Sequence, residues 1–383
     1  MDLKAAVDYL APVFAQYPIE IVAAHGVWLT TRDGRQVLDL YGGHAVAALG
    51  YGHAGWVSAL AAQAAACNFQ SNAVPMAVRS RAAQRLVHFS QLPFECVFFV
   101  NSGAEANENA LKVAFRATQR PRIVAVEGGF HGRTAAAGAV TWGAQQKWFG
   151  FPRTPFDVSF IPRRAPEAIA AQVREDTAAV IVEPVQGVAG AFDMGAEFLA
   201  ALRRRCDDTG ALLIFDEVQC GVGRTGYPFA ANLYGVIPDM LTTAKALGNG
   251  FPCAALLMGA RAAAALTLDG LGTTFGGGPM ASAAIEAVID AIESEQLLAR
   301  VRRVGAYIRE TCMVGPVIAH QGAGFLTGLV TRTPAKEVHA ALLARDILTG
   351  TASDPKVVHL LPPYILEETH VDRLRDALAA IGS

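Results

Sequence analysis

Nothing in the 383-residue sequence suggests a membrane span, since no apolar run reaches the roughly 18 residues a helix needs to cross a bilayer. An excess of charge of either sign is also absent. With 34 acidic and 32 basic side chains the formal net charge is −2, which leaves no bulk field to hold nucleic acid or an anionic membrane. Any anionic ligand must therefore be held by local groups. Cysteine is sparse: Cys67, Cys96, Cys206, Cys220, Cys253 and Cys312 are scattered, with no C-x-x-C pair and no histidine at zinc-finger spacing. Buried reduced thiols are expected, with neither a disulfide framework nor a metal site. The first twenty residues carry acids and a proline where a signal peptide needs an unbroken apolar stretch, so a cytoplasmic location is expected. Repeats, low-complexity tracts and Pro- or Ser-rich linkers are missing as well. What remains is a globular chain, 52% hydrophobic and 17% charged, long enough for about two or three domains.

Its organisation shows in short apolar or β-branched runs that alternate with longer helical patterns from about residue 95 to 260. The pattern predicts strands at Cys96–Val100, Ile123–Glu127, Ala178–Val182, Leu212–Phe215 and Ala254–Gly259. Helices are predicted at Ala104–Thr118, where Ala106, Ala110, Val113 and Ala114 share a face, and at Ala196–Arg205. Such alternation argues a doubly wound, parallel α/β sheet, whose ligands collect at the carboxyl ends of the strands. Further on, a helix at Ala281–Arg302 precedes a strand near Gly324–Val330, a helix at Ala335–Leu348, a strand at Val357–Leu361 and a closing helix near Val371–Ile381. The expected layout is a large domain over residues 51–275 and a smaller α+β domain over 276–383, to which residues 1–50 contribute.

Three stretches carry chemistry. In Phe98-Phe99-Val100-Asn101-Ser102-Gly103-Ala104-Glu105 a strand runs through small residues into a helix, so backbone N–H groups and the positive end of the helix dipole converge on a spot suited to a phosphate. Taken alone, Ser102 also reads as an ordinary N-cap, the commoner feature. In Leu212-Leu213-Ile214-Phe215-Asp216-Glu217 an apolar strand ends in carboxylates, and a buried carboxylate needs a cation or proton donor. Simple turn capping by Asp216 explains the pattern equally well. In Leu241-Thr242-Thr243-Ala244-Lys245-Ala246-Leu247-Gly248 a lysine sits between an apolar run and a glycine-rich turn, a setting that desolvates the amine and makes it a usable nucleophile. An isolated lysine is more often a solvated surface residue. Together, however, a phosphate cradle, a buried acid and a poised lysine at strand ends meet the demands of pyridoxal phosphate.

With these stretches the sequence resembles the class III (ω-) aminotransferases of pyridoxal-phosphate fold type I, and most closely their acetylornithine aminotransferase branch. The likeness covers nearly the whole chain and rests on FFVNSGAEANENALKVA, GGFHGRTAAA, VEPVQG, LIFDEVQCGVGRTG, PDMLTTAKALGNGFP, GTTFGGGP and VVHLLPP. It implies a mostly parallel seven-stranded sheet in the large domain, with the smaller domain built from both termini. By the same resemblance Lys245 is the Schiff-base lysine and Asp216 the partner of the pyridinium nitrogen. Ser102, Gly103 and Ala104 form the phosphate turn, Phe130 and Val218 flank the ring, and Gln219 lies near its phenolic oxygen. Thr274 reaches the phosphate bound in a neighbouring subunit, which implies a homodimer with sites at its interface. Arg133 holds a substrate carboxylate, a task for which its planar fork is suited.

The chain departs from the family where substrates are chosen. Glu183-Pro184-Val185-Gln186-Gly187-Val188 places Val188 where the family has glutamate, and His359 stands where it has arginine before Leu360-Leu361-Pro362-Pro363. Both halves of the family's carboxylate switch are thus missing, and weak handling of 2-oxoglutarate is expected. A protonated His359 would be a weaker, pH-dependent anchor, whereas a neutral one would only fill space. His44 occupies the position of a substrate-contacting tyrosine, with a purely structural histidine as the alternative. Trp142, Lys147 and Trp148 belong to no motif, and solvated or packing roles are expected for them. The resemblance implies an aminotransferase acting by ping-pong on an acylated diamino acid and a 2-oxo acid, in a role like that in arginine biosynthesis. Alternatives are another ω-amine (4-aminobutyrate, diaminobutyrate or ornithine), an aminomutase, or a catalytically silent pyridoxal-phosphate-binding regulator.

Overall fold

The computed structural model describes residues 9–382; residues 1–8 of the N-terminal segment and Ser383 lie outside the described residues. At its centre a seven-stranded sheet has the spatial order Cys96–Val100, Ala254–Met258, Met240–Thr243, Leu212–Asp216, Thr177–Val182, Arg122–Val126 and Asp157–Ile161. Ala254–Met258 pairs antiparallel to both of its neighbours, and every other pairing in the sheet is parallel. The expected α/β architecture is therefore present, with one reversed strand that periodicity had no means of showing. Thr177–Val182 and Leu212–Asp216 are buried along their whole length, which is why they read as continuous apolar runs rather than alternating ones. Met240–Thr243 is equally buried and completes the middle of the sheet.

Helices cover the sheet. Helix Gly103–Thr118 turns Ala106, Asn107, Ala110, Leu111, Val113 and Ala114 inward and ends at Gln119 in the left-handed region. Helix Ala196–Thr209 runs four residues beyond the predicted Arg205 and stops at Gly210, whose φ of 75° suits a C-terminal glycine.

Outside the large sheet, Ile21–His25, Trp28–Thr31 and Gln36–Asp39 form a second sheet with Ile347–Leu348. The N-terminal strands and the C-terminal part of the chain thus share one structure. A third sheet joins Val317–Ala323, Leu326–Thr331, Val357–Leu360 and Gly350–Thr351.

Three predicted elements differ here. The single helix Ala281–Arg302 is two, Pro279–Ser294 and Leu297–Thr311, broken at Gln296 with φ 53°. Polar Glu293, Ser294, Glu295 and Gln296 interrupt the apolar face at that point. The predicted helix to Leu348 stops at Leu343, because Ile347–Leu348 pairs with Leu38 and Asp39 instead. The lone strand near 324–330 is the second arm of a hairpin whose first arm, Val317–Ala323, has its apolar pattern broken by His320, Gln321 and Gly322.

Candidate active site

All the parallel strands present their carboxyl ends to one edge, and a cavity of about 410 Å³ opens there. Ser102, Gly103 and Ala104 line it after strand Cys96–Val100, Phe130 and Arg133 after Arg122–Val126, and Glu183 and Val188 after Thr177–Val182. Asp216, Val218 and Gln219 follow Leu212–Asp216, and Lys245 follows Met240–Thr243. Residues up to 143 positions apart are thus brought to one place because parallel strands share a direction.

At the corner where helix Gly103–Thr118 begins, Ser102 is the N-cap. Its hydroxyl accepts from Glu105 N at 3.2 Å, an N-cap bond, and it lines the cavity. Gly103 and Ala104 open a sixteen-residue helix, so by helix geometry their N–H groups have no acceptor within it. Gly103 is required by close approach, since a Cβ there would sit 2.7 Å from Val218 Cγ1. At Gly187 a Cβ would overlap the Gln219 side chain.

Asp216 is buried and fully engaged. Its Oδ2 lies 2.7 Å from His131 Nδ1 and accepts from Asn107 Nδ2 at 2.8 Å, while Oδ1 accepts from Val218 N at 3.0 Å. Asn107 is held in turn by Thr242, whose hydroxyl donates to Asn107 Oδ1 at 2.7 Å, and by His131 O, which accepts from Asn107 Nδ2 at 2.7 Å. Turn capping and partnership with donors are therefore both true of this carboxylate. Asn107 and His131 escaped the sequence reading. Asn107 lies one helical turn past Gly103, on the face that turns inward, and that spacing was the available signal. For His131 no local pattern foretells a partner 85 residues away.

Glu183 is a second buried acid, accepting from Phe130 N at 2.7 Å and Gly187 N at 3.0 Å. Burial, with the nearby Asp216 adding to it, raises its pKa. Glu217, adjacent to Asp216, points away from the cavity and accepts from the N–H groups of Ala230 and Ala231; burial pushes its pKa up to about 8.

Lys245 begins a single 3-10 turn, Lys245–Gly248, with φ 48°. A left-handed lysine is strained by roughly 1–3 kcal/mol, a cost that recurs where the fold over-determines a functional position. Burial lowers its pKa, opposed by the negative charges of Glu183 and Asp216. Such an amine reaches its neutral, nucleophilic form more readily than an exposed lysine.

Arg133 is exposed at the cavity mouth, its guanidinium 4.7 Å from the Trp148 ring centre, and makes no ion pair among the described residues. Trp148 thus has a definite packing role, beneath Arg133 and beside Phe130, with ring centres 6.4 Å apart.

Other expected residues lie elsewhere. His44 is exposed on a strained turn with φ 64°, its ring 4.6 Å from Tyr41; Val46, two residues on, lines the cavity instead. His359 is buried in strand Val357–Leu360, outside the cavity lining, with Nε2 unpartnered. Burial, reinforced by the positive fields of His44, Lys245 and Arg224, pushes its pKa down to about 3. Burial thus disfavours the charged form that a carboxylate anchor would need, and the ring lies outside the cavity lining. Thr274 sits on an exposed loop beside Phe275, away from this chain's own cavity.

The cavity gathers a helix N-terminus, a buried carboxylate and a desolvated amine. Among the described residues no cluster of three or more histidine, cysteine or acidic side chains is placed to hold a metal ion. An α/β enzyme built around an organic phosphate cofactor is the class these features define.

The chain belongs to the class-III aminotransferases, whose family pattern it matches over residues 9–381. It is accordingly a transaminase dependent on pyridoxal phosphate. It is 42% identical to acetylornithine aminotransferase of Streptomyces coelicolor, over 95% of this chain and 90% of that protein. To acetylornithine aminotransferase 1 of Bradyrhizobium diazoefficiens it is 38% identical, covering 99% and 97%. Among solved structures, ornithine aminotransferase from Toxoplasma gondii superposes with a TM-score of 0.93 at 25% identity, over 99% of this chain and 95% of that one.

Proposed function

We propose that the enzyme takes the ω-amino group of an acylated diamino acid of the N-acetylornithine kind and passes it to a 2-oxo acid, as in arginine biosynthesis, in the cytoplasm. The observation that carries this reading is the meeting of Lys245, Asp216 and Arg133, which makes no ion pair among the described residues, in one cavity. The names of the relatives above support the choice of donor.

The residues fit the cofactor. The N–H groups at Ser102, Gly103 and Ala104 would hold its phosphate, Phe130 and Val218 its ring faces, Gln219 its phenolic oxygen, and Asp216 its ring nitrogen. When bound, pyridoxal phosphate supplies a carbonyl that takes up an amine and a protonated ring that withdraws the electron pair left at the amine-bearing carbon. Asp216, tied by His131, Asn107 and the Val218 amide, would hold a proton on that ring nitrogen. Lys245, its basicity reduced by burial, provides the amine that holds the cofactor and moves the proton at the substrate's amine-bearing carbon. Arg133 binds the donor's carboxylate through its fork, with Trp148 restraining the guanidinium. Glu183 fixes the backbone at Phe130 and Gly187, the two turns that frame the ring.

A second copy of the chain completes the assembly. Helix Ala54–Ala66 is apolar yet has no buried residue, and Phe275, next to Thr274, is 65% exposed. A homodimer would cover these surfaces and carry Thr274 to the phosphate in the other subunit.

The test is a half-reaction. Holoenzyme mixed with N-acetylornithine, without acceptor, should lose its visible cofactor band faster than with 4-aminobutyrate, diaminobutyrate or ornithine. A faster loss with one of these three would reassign the donor, and no loss with any amine would leave a silent cofactor binder.

A further inference from the structure

One guanidinium serves this cavity. Among the described residues the lysine and arginine side chains that line it are Arg133 and Lys245; the lysine amine is committed to the cofactor under the function proposed above, on which this inference rests, and His131, also in the lining, is engaged with Asp216 at 2.7 Å. Neighbouring arginines are engaged elsewhere. Arg224 is fully buried against Tyr364 and donates to the carbonyls of Pro362 and Ala45. Arg163 donates to Glu127 O at 3.0 Å and lies over the Phe192 ring. His359 is buried in strand Val357–Leu360, outside the lining, where burial disfavours its charged form. Much of the remaining wall is apolar, with Val46, Val188, Phe251 and Cys253, and the acids Glu183 and Asp216 stand on its floor.

A first carboxylate on a substrate finds Arg133. A second would meet apolar side chains, neutral polar groups such as Asn101 and Gln219, or the field of two acids, and a carboxylate taken out of water without a charged partner is strongly disfavoured. We propose that both substrates carry a single carboxylate, so that the amino acceptor is a 2-oxo monocarboxylate of the pyruvate class and not a 2-oxo dicarboxylate. Its carbonyl carbon gains the amino group as the donor's amine-bearing carbon becomes a carbonyl. One water is consumed in the first half and one released in the second, so no outside oxidant or reductant enters.

The test uses holoenzyme already aminated by its donor, with donor then removed, and follows recovery of the visible band. Because these molecules have demonstrably accepted an amino group, failure here is separate from failure of the transaminase reading. 2-Oxopentanoate and 2-oxoglutarate have the same carbon number and differ by the distal carboxylate, and pyruvate serves as the short member. The second-order rate constant should favour both monocarboxylates over 2-oxoglutarate by about tenfold or more, within the range that an unpaired polar group in a binding site commonly imposes. Equal or faster recovery with 2-oxoglutarate overturns the proposal. Val188→Lys adds a cation at a wall position that is 41% exposed, so the new amine need not be buried. This variant should move the ratio toward 2-oxoglutarate by roughly two- to fivefold, the reach of one exposed ion pair. A ratio that stays put would show that charge does not set the preference.

Discussion

The floor of the cavity and its wall are built on different principles. On the floor, Asp216 accepts from three donors, Asn107 and His131 are themselves tethered, and Lys245 is held in a strained backbone conformation. On the wall, Val46 and Val188 present apolar surface, while Arg133 rests on Trp148 and makes no ion pair among the described residues. Networks of buried polar groups have few alternatives, because breaking one bond strands the others. The wall carries no such constraint and is free to differ between enzymes that share the floor.

Removing Lys245 breaks this contrast most severely. Lys245→Ala should lower turnover by about 10⁴-fold or more, since one group serves as both attachment point and proton carrier. Pyridoxal phosphate should still bind through the floor, but borohydride should no longer fix it to the protein. Fixation at another lysine would reassign the role.

Asp216→Asn tests whether the floor network exists to keep a charge in place. Donor half-reaction rates should fall by about a hundredfold. A wild-type rate in a single-turnover assay would make the carboxylate purely structural.

On the wall, Arg133→Ala should raise KM for the donor by about tenfold or more with kcat much less affected, and Arg133→Lys should recover part of the loss. If kcat fell instead while KM stayed fixed, Arg133 would be acting on the reacting carbon.

The smallest effect belongs to His359. In the folded protein its pKa is about 3, whereas the unfolded chain takes up the proton near the ordinary value of 6.5. Between those limits the unfolded state binds more protons, so stability rises with pH across the window and is lost as pH falls through it. His359→Asn should flatten this component of a Tm-against-pH curve and leave the pH dependence of KM unchanged. A KM profile that shifted in the variant would return His359 to the site.

Much of this architecture is legible in the amino-acid order, for a local reason. Strand Leu212–Asp216 is apolar up to its last residue because both its faces are buried, and the buried acids Asp216 and Glu217 mark its carboxyl end. Ser102, Gly103 and Ala104 declare a strand-to-helix turn within a few residues, and Lys245 follows a buried strand directly. Each signal lies within about one turn or one strand, the distance over which backbone geometry and side-chain pattern are coupled. The break at Gln296 was hidden because a single left-handed residue interrupts two helices of the same character.

The long-range pairings belong to the tertiary structure. His131 meets Asp216 only because two strands separated by a third are brought side by side, Trp148 reaches Arg133 only when its loop folds back, and Val46 displaces His44 from the cavity through a turn of left-handed residues. Above all, the sequence by itself specified a histidine at 359, while packing lowered its pKa. Removing an imidazole from water beside other positive groups makes its charged form costly, and such a cost depends on every element packed around the ring rather than on its neighbours in the chain.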